Sequence, residues 1–351
     1  MQSRWDPAQA LEAKAYEMLT VLGPKAGESI DLIIDDSKKE KRGKKMDAGG
    51  WTFDPVCGRK IKGYQYVTAI LSFRGFRFPF AIRLYAKKEV CGKLGIEFTT
   101  AIDHATEMIG SLVPPEGVKV RVLFDSWYLC GKVVKAFHSK GFSFISALKK
   151  NRNLFKNGRK LKAGKYGKNL LRKSKVRTFR KSKNVQYQYV DCGKLNVGKL
   201  GKLHVIFSRK LSDKDVKGTV SSDPKLSASG ILKAYGGRWP IEVFFKESKQ
   251  LLGLGQYQNA RYSAAVTHLH LVCFAYALLT PLAIEDQGAQ GKKRKRKPAD
   301  SRFAADLQNE LRRIVWDDLS KHLKEGVTWG PNELRDETFD TILSRVGGSG
   351  C

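Results

Sequence analysis

VKVRVLFDSWYLCGKVVKAFHSKGFSFISALKK, residues 118–150, decides the fold class. Strict alternation puts Val118, Val120, Val122 and Phe124 on one face, which is the period of a strand, and the run stops at Asp125. CGKVVKAFHSK then reads as a helix and FSFISAL as a second strand. Apolar strands alternating with a helix are the order of a buried sheet covered by helices, so the class is α/β.

Outward from this unit the same pattern continues. Upstream, ESIDLIIDDS (28–37) is a short apolar run ending in Asp35 and Asp36, the mark of another buried strand. YQYVTAILSFRGFRFPFAIRLY (64–85) reads as two strands turning at Arg74-Gly75, and 97–112 as a polar helix. DPAQALEAKAYEMLTVLG (6–23) has helical spacing and a stop at Gly23. Downstream, 149–183 shows no period. VQYQYVDCGKL (185–195) and KLHVIFSRK (202–210) then supply two strands that interrupt the α/β order as an insertion. Helical character returns near 227, and an apolar helix is expected over 264–284. A basic linker covers 286–302, and an amphipathic helix is expected over 303–324 with Gly326 as its stop.

The 351 residues carry 65 Lys+Arg against 34 Asp+Glu, a net charge of +31, and most of it sits in three blocks. Residues 149–183 hold 16 Lys/Arg and no acid; the others are KKEKRGKK (38–45) and KKRKRK (292–297). Single-sign blocks imply a polyanionic partner, nucleic acid first, against the plainer reading of solubilising tails. Six scattered cysteines without C-x-x-C read as reduced thiols, which argues against a disulfide scaffold or zinc ribbon. The six histidines show no H-x3-H pair and read as structural. The longest nearly apolar run, LVCFAYALLTPLAI (271–284), has 14 residues, too few to span a bilayer. No basic-then-apolar leader opens the chain, so the expectation is a cytoplasmic, DNA-associated protein with no membrane partner.

Asp35 and Asp36 at one strand exit and Asp125 at another are costly to keep charged unless paired or bound to metal. Such acids also serve as helix N-caps, the plainer use. LKAYGGRWPIEVFFKESKQ (232–250) changes the balance. Tyr235, Arg238, Glu242 and Lys249 are spaced Y-x2-R-x3-E-x6-K. On a continuous helix they fall at about 0°, 300°, 340° and 320°, within a sector of about 60°. An ordinary surface charge pair would not place Tyr and Arg on that stripe. Gly236-Gly237 and Pro240 leave the first half of the helix open.

This spacing, with WPIEVFFKESKQLLGLGQYQ (239–258), resembles the third-acid helix of DDE transposases of the insertion-sequence-four type. LIIDDSKKEKRGKK (32–45) resembles their first-acid strand. VLFDSWYLCGKVVKAF (122–137) and FSFISALKKNRN (142–153) resemble the second-acid strand with the helix and strand behind it. The likeness covers roughly 30–285. It implies a ribonuclease-H-like core, a mixed sheet flanked by helices, with a basic β-rich insertion before the last catalytic helix. The divisions are then 1–25 an N-terminal helix, 26–150 the first part of the core, and 151–226 the insertion. The second part of the core follows at 227–285, the linker at 286–302 and a helical tail at 303–351.

Carried over by position, Asp36, Asp125 and Glu242 become the catalytic, metal-binding triad. Asp36 is preferred to Asp35 because the family's acid directly precedes a small hydroxyl residue, here Ser37. Two Mg²⁺ ions, or Mn²⁺ in their place, would activate water or the freed 3′-OH and stabilise the departing oxygen. Tyr235, Arg238 and Lys249 would hold phosphates of a transposon end, Arg by forked donation and Lys by point charge. Lys149, Lys150 and Arg152 join them as DNA-binding residues at the head of the basic block. The partners implied are double-stranded DNA, both transposon ends and target, and a second copy of the chain in a synaptic homodimer.

Two departures from the family pattern stand out. Members usually carry a substantial DNA-binding region before the first acid, and only 35 residues precede Asp36. A truncated chain, or end recognition by the insertion, would account for that. Some relatives stack an extruded base on a tryptophan in the insertion; this insertion has none, and Tyr187 or Tyr189 is the substitute, with core packing as the plainer use. The rival to an active transposase is a catalytically silent remnant that only binds DNA. A stand-alone nuclease of the ribonuclease-H type has no use for the signature Tyr and Arg.

Overall fold

Local chemistry fixes the element ends. Helix α1 (Pro7–Leu22) starts at Asp6, whose carboxylate accepts from the Ala8 and Gln9 amides, and ends at left-handed Gly23. Strand β1 (Ser29–Glu40), β2 (Gly50–Asp54), β3 (Arg59–Phe73) and β4 (Phe76–Tyr85) follow. The β3–β4 turn uses Arg74 and Gly75, both at positive φ (48° and 89°), the mirror-image turn that matches strand twist. Next come α2 (Lys88–Leu94) and α3 (Ala101–Ser111), the latter closed by a Thr100/Asp103 capping box. Lys132 and Thr100 together hold the Asp103 carboxyl down to about 2. Then β5 (Lys119–Phe124), α4 (Gly131–Lys140) and β6 (Ser143–Leu148) realise the strand–helix–strand unit.

The basic segment folds as a hairpin, β7 (Asn153–Lys156) and β8 (Arg159–Lys162), then α5 (Ala163–Lys173). Strands β9 (Arg177–Ser182), β10 (Val185–Val197), β11 (Lys202–Lys210) and β12 (Lys217–Ser221) complete the insertion. Helix α6 (Ala228–Tyr235), a short 3-10 turn (Gly236–Arg238), α7 (Trp239–Leu251) and α8 (Tyr262–Ala289) close the described chain. The structure is a computed structural model and describes residues 6–289 except 44–45, 55–56, 174–175, 183–184 and 214. In the C-terminal region it describes only 312–313, 316–317 and 320. The chain divides into two units, Met1–Ala304 and Ala305–Cys351. Most of the expected linker and of the helix over 303–324 lies outside the described residues.

One mixed sheet runs through the first unit in the order β2-β3-β1-β5-β6-β12-β11-β10-β7-β8, with β4 also on β3 and β9 on β10. β1, β5 and β6 are parallel, and the other pairs are antiparallel. The insertion therefore extends the core sheet, β12 pairing with β6 through Gly218–Ser221 and Ile145–Leu148. The expectation that the first strand ends at the aspartates is corrected: β1 runs on to Glu40 because β3 keeps pairing with it as far as Gly63. A Cβ at Gly63 would come within 2.1 Å of the Lys39 carbonyl oxygen, so glycine permits that approach.

The core gathers between sheet and helices, with Leu32, Ile34, Val122, Phe124, Phe137 and Phe144 almost wholly buried. Phe124, Phe137 and Phe144 stack pairwise at 5.1–5.7 Å. Helix α8 packs on β4 and α1. Its stretch Tyr262–Leu279 is long and apolar enough to cross a membrane, which the 14-residue count did not show. Ala265, Leu269, Cys273, Tyr276 and Ala277 are nevertheless buried in the core. A buried network also crosses this face: Arg77 pairs with Glu247 at 3.1 Å, and the Tyr276 hydroxyl donates to Glu247 at 2.7 Å.

Candidate active site

Adjacent strand residues point to opposite faces, so Asp35 and Asp36 cannot serve the same site in the same way. On β1, Asp35 lies opposite Thr68 and Ser37 opposite Tyr66. That face meets α7, where the Tyr66 and Phe245 rings lie 6.1 Å apart. Arg238, in the turn before α7, donates to Asp35 Oδ2 at 2.5 Å and with its other terminal nitrogen to Glu242. One guanidinium thus bridges acids from β1 and α7. Asp36 instead accepts from Gln65 Nε2 at 3.0 Å and from the Tyr128 hydroxyl at 3.5 Å.

Asp125 directly follows β5, and its carboxylate accepts from the Trp127 amide at 2.7 Å. The parallel pairing of β1 with β5 puts Ile34 beside Phe124, which brings Asp125 next to both aspartates. Burial, opposed by Arg238 and reinforced by repulsion from Asp125 and Asp36, raises the Asp35 carboxyl to about 6. Burial also raises Asp36, with Lys38 opposing and Asp125 adding to the shift. The two aspartates and Asp125 therefore share one field.

Tyr235, at the end of α6, lies beside the acids, hydrogen-bonded to the Ala147 main chain; burial pushes its hydroxyl up to about 12. The phase expected for a continuous helix is broken by the 3-10 turn at Gly236–Arg238. Gly237 sits close to Asp31, which Arg121 forks at 2.8 and 2.9 Å on the same β1 face. Lys249 is turned inward: it donates to Ser37 Oγ at 2.7 Å and to the Lys38 carbonyl at 3.0 Å, tying α7 to β1. Burial lowers its pKa, with Lys39 adding to the effect. Among the basic-block residues, Lys149 lies 4.8 Å from the Trp127 ring. Lys150 pairs with Asp215 at 2.5 Å, and Arg152 donates to the Leu129 carbonyl at 2.6 Å.

Four residues that the sequence did not single out also shape the site. Gln65 and Tyr128 hold Asp36, while Trp127 and Trp239 stand 58% and 59% exposed beside Asp125 and Glu242. Their position next to the second acid and inside the signature helix was readable, but their exposure was not. A cavity of about 480 Å³ opens between the insertion strands and α6, with Lys150, Phe179, Tyr187, Tyr235, Arg238 and Glu242 on its wall. Tyr189 is buried.

The donors here are carboxylate oxygens, the set that suits a hard divalent cation. Among the described residues no three acid, His or Cys side chains already surround one point. Arg238 stands between Asp35 and Glu242 instead. Acids drawn together in a partly buried site demand a positive charge. By donor type and by that demand the residues fit a divalent ion, which would take the place of the guanidinium.

A mixed sheet flanked by helices defines an α/β, ribonuclease-H-like fold. The family model described as transposase DDE domain matches residues 30–278, and the chain belongs to that family. Its members act on DNA with nuclease and transferase chemistry and generally use divalent metal ions. Among curated proteins, none matches the chain.

Proposed function

We propose that this chain is a transposase of the insertion-sequence-four type, hydrolysing the phosphodiester at the ends of its own element and transferring the 3′-OH to target DNA. The observation that carries the reading is the Arg238 bridge, which joins Asp35 and Glu242 across 203 and 4 residues of chain, with Asp35 itself lying close to Asp125. We assign Asp35, Asp125 and Glu242 as the triad. Asp35 replaces Asp36, the preference from sequence, because its side chain shares a face with Glu242.

Two bound Mg²⁺ ions would stabilise the charge that develops on the attacking and leaving oxygens. Asp35 and Glu242 supply anionic oxygens from a rigid strand and a rigid helix, and Asp125 supplies a third from the strand exit. Asp36, held by Gln65 and Tyr128, adds negative field from the opposite face. Arg238, once released from the acids, is placed to grip a phosphate in a forked manner. Lys249 keeps α7 in register with β1, and Lys149, Lys150 and Arg152 line the approach as phosphate contacts. Two copies of the chain would hold two ends together.

The test is metal-dependent nicking of a labelled duplex carrying the element's end. Wild type should nick with Mg²⁺ or Mn²⁺, and Asp125→Asn should lose on the order of 10³-fold in rate while still binding DNA. Tight binding without nicking by the wild type would instead identify a silent remnant.

A further inference from the structure

The loop between β5 and α4 sends consecutive side chains opposite ways: Tyr128 and Leu129 are each 1% exposed, whereas Trp127 is 58% exposed. Its frame is tied down from several sides. The Trp127 amide donates to Asp125 Oδ1 at 2.7 Å, the Cys130 amide to the Tyr128 carbonyl at 2.8 Å, and Arg152 to the Leu129 carbonyl at 2.6 Å. Ser146 Oγ donates to the Asp125 carbonyl at 3.1 Å, and the Tyr128 hydroxyl to Asp36 at 3.5 Å. A fixed loop thus holds the indole out in solvent, with Lys149 Nζ over the ring at 4.8 Å from its centroid. Two residues of chain put the Trp127 and Asp125 α-carbons about 7.6 Å apart at most.

We propose that Trp127 is a positioning residue for the joining step, its indole stacking on the terminal base pair of the cut DNA end and so holding the 3′-OH against the acids. This rests on the DNA-cutting reading and adds to it a base contact that acts only once the end is freed. A lone exposed ring needs no partner; the surroundings of this one select it. So close to Asp125, a protein seated on the indole would crowd the strand that the acid serves. The lysine over the ring favours an anionic occupant, and a nucleotide brings phosphate for the ammonium and a flat π-face for the indole. Inside an intact duplex every base face is already stacked, and freeing one is costly. A cut end presents an open face at no such cost, and the cut is made at the acids, where the indole stands. The loop is already ordered, so stacking immobilises little that was free.

The test uses the full chain without added metal, so that nothing is cut. Anisotropy is read on a labelled duplex that stops in a free 3′-OH at the cut position, and on one that runs on through it. Wild type should favour the stopped duplex, and Trp127→Ala should lower that preference by about tenfold. Trp127→Leu keeps apolar bulk without a π-face and should match the Ala variant, whereas Trp127→Phe should keep most of the preference. Removing the bases of the terminal pair, to leave abasic sugars, should cost wild type about tenfold on the stopped duplex and Trp127→Ala little, because both changes delete one contact. Costs that simply add, or a preference that survives Trp127→Ala, overturn the proposal and leave the cutting reading to its own nicking test. The abasic arm needs no substitution: a wild type indifferent to the missing bases overturns the proposal even where a variant folds badly. A wild type that binds neither duplex overturns both readings. A dimer that dissolves on Trp127→Ala would show a contact between copies and overturn the DNA assignment of the ring.

Discussion

Arg238 is the residue on which the site turns, because it places a positive charge where two carboxylates approach each other. Its removal should leave Asp35 and Glu242 without that counter-charge. We expect Arg238→Gln to cost about 2 kcal/mol of stability in metal-free buffer. The same change should let a cation bind more readily, since no guanidinium competes for the acids. Melting curves with and without Mn²⁺ test this: the metal-induced rise in Tm should be larger for Arg238→Gln than for wild type. A smaller rise would show that Arg238 helps to hold the ion. Arg238→Lys keeps the charge but not the fork, so it should bridge poorly and behave closer to the Gln variant.

Helix α7 must present one residue to the acids and another to the core, and the buried Arg77–Glu247–Tyr276 network sets its rotation. Glu247 sits about 140° around the helix from Glu242, both partners of its ion pair are 4% exposed, and Tyr276 donates to it from α8. Removing that carboxylate strips Arg77 of a buried counter-charge, so Glu247→Gln should cost about 3 kcal/mol. A denaturant titration reads the effect, and a midpoint equal to wild type would show that the network does not hold α7. Part of this element was legible. The Glu242/Lys249 phase and the apolar Val243 and Phe244 follow from helix geometry alone. The 3-10 turn at Gly236–Arg238 was not, because glycine leaves the backbone conformation undecided, and the neighbours of Gly237, Asp31 and Leu123, are distant in sequence. The bonds from Lys249 to Ser37 and to the Lys38 carbonyl span more than two hundred residues and have no local signature.

At the scale of the molecule, the strands of 118–150 were readable because alternation and apolar runs are local, and the α/β class followed. Their partners were not. The insertion strands showed as strands, but their joining the core sheet through β12 and β6 is a tertiary choice. The same gap explains the aspartates: sequence gives two neighbouring acids on opposite faces, and only the fold shows which face α7 covers. The nicking assay resolves, residue by residue, which of the two aspartates serves. With Mn²⁺ on a duplex carrying the element's end, Asp35→Asn should lose on the order of 10³-fold in rate, as Asp125→Asn does, whereas Asp36→Asn should keep measurable cleavage. Cleavage that survives Asp35→Asn but vanishes with Asp36→Asn would contradict the assignment of the first acid and the Arg238 bridge built on it.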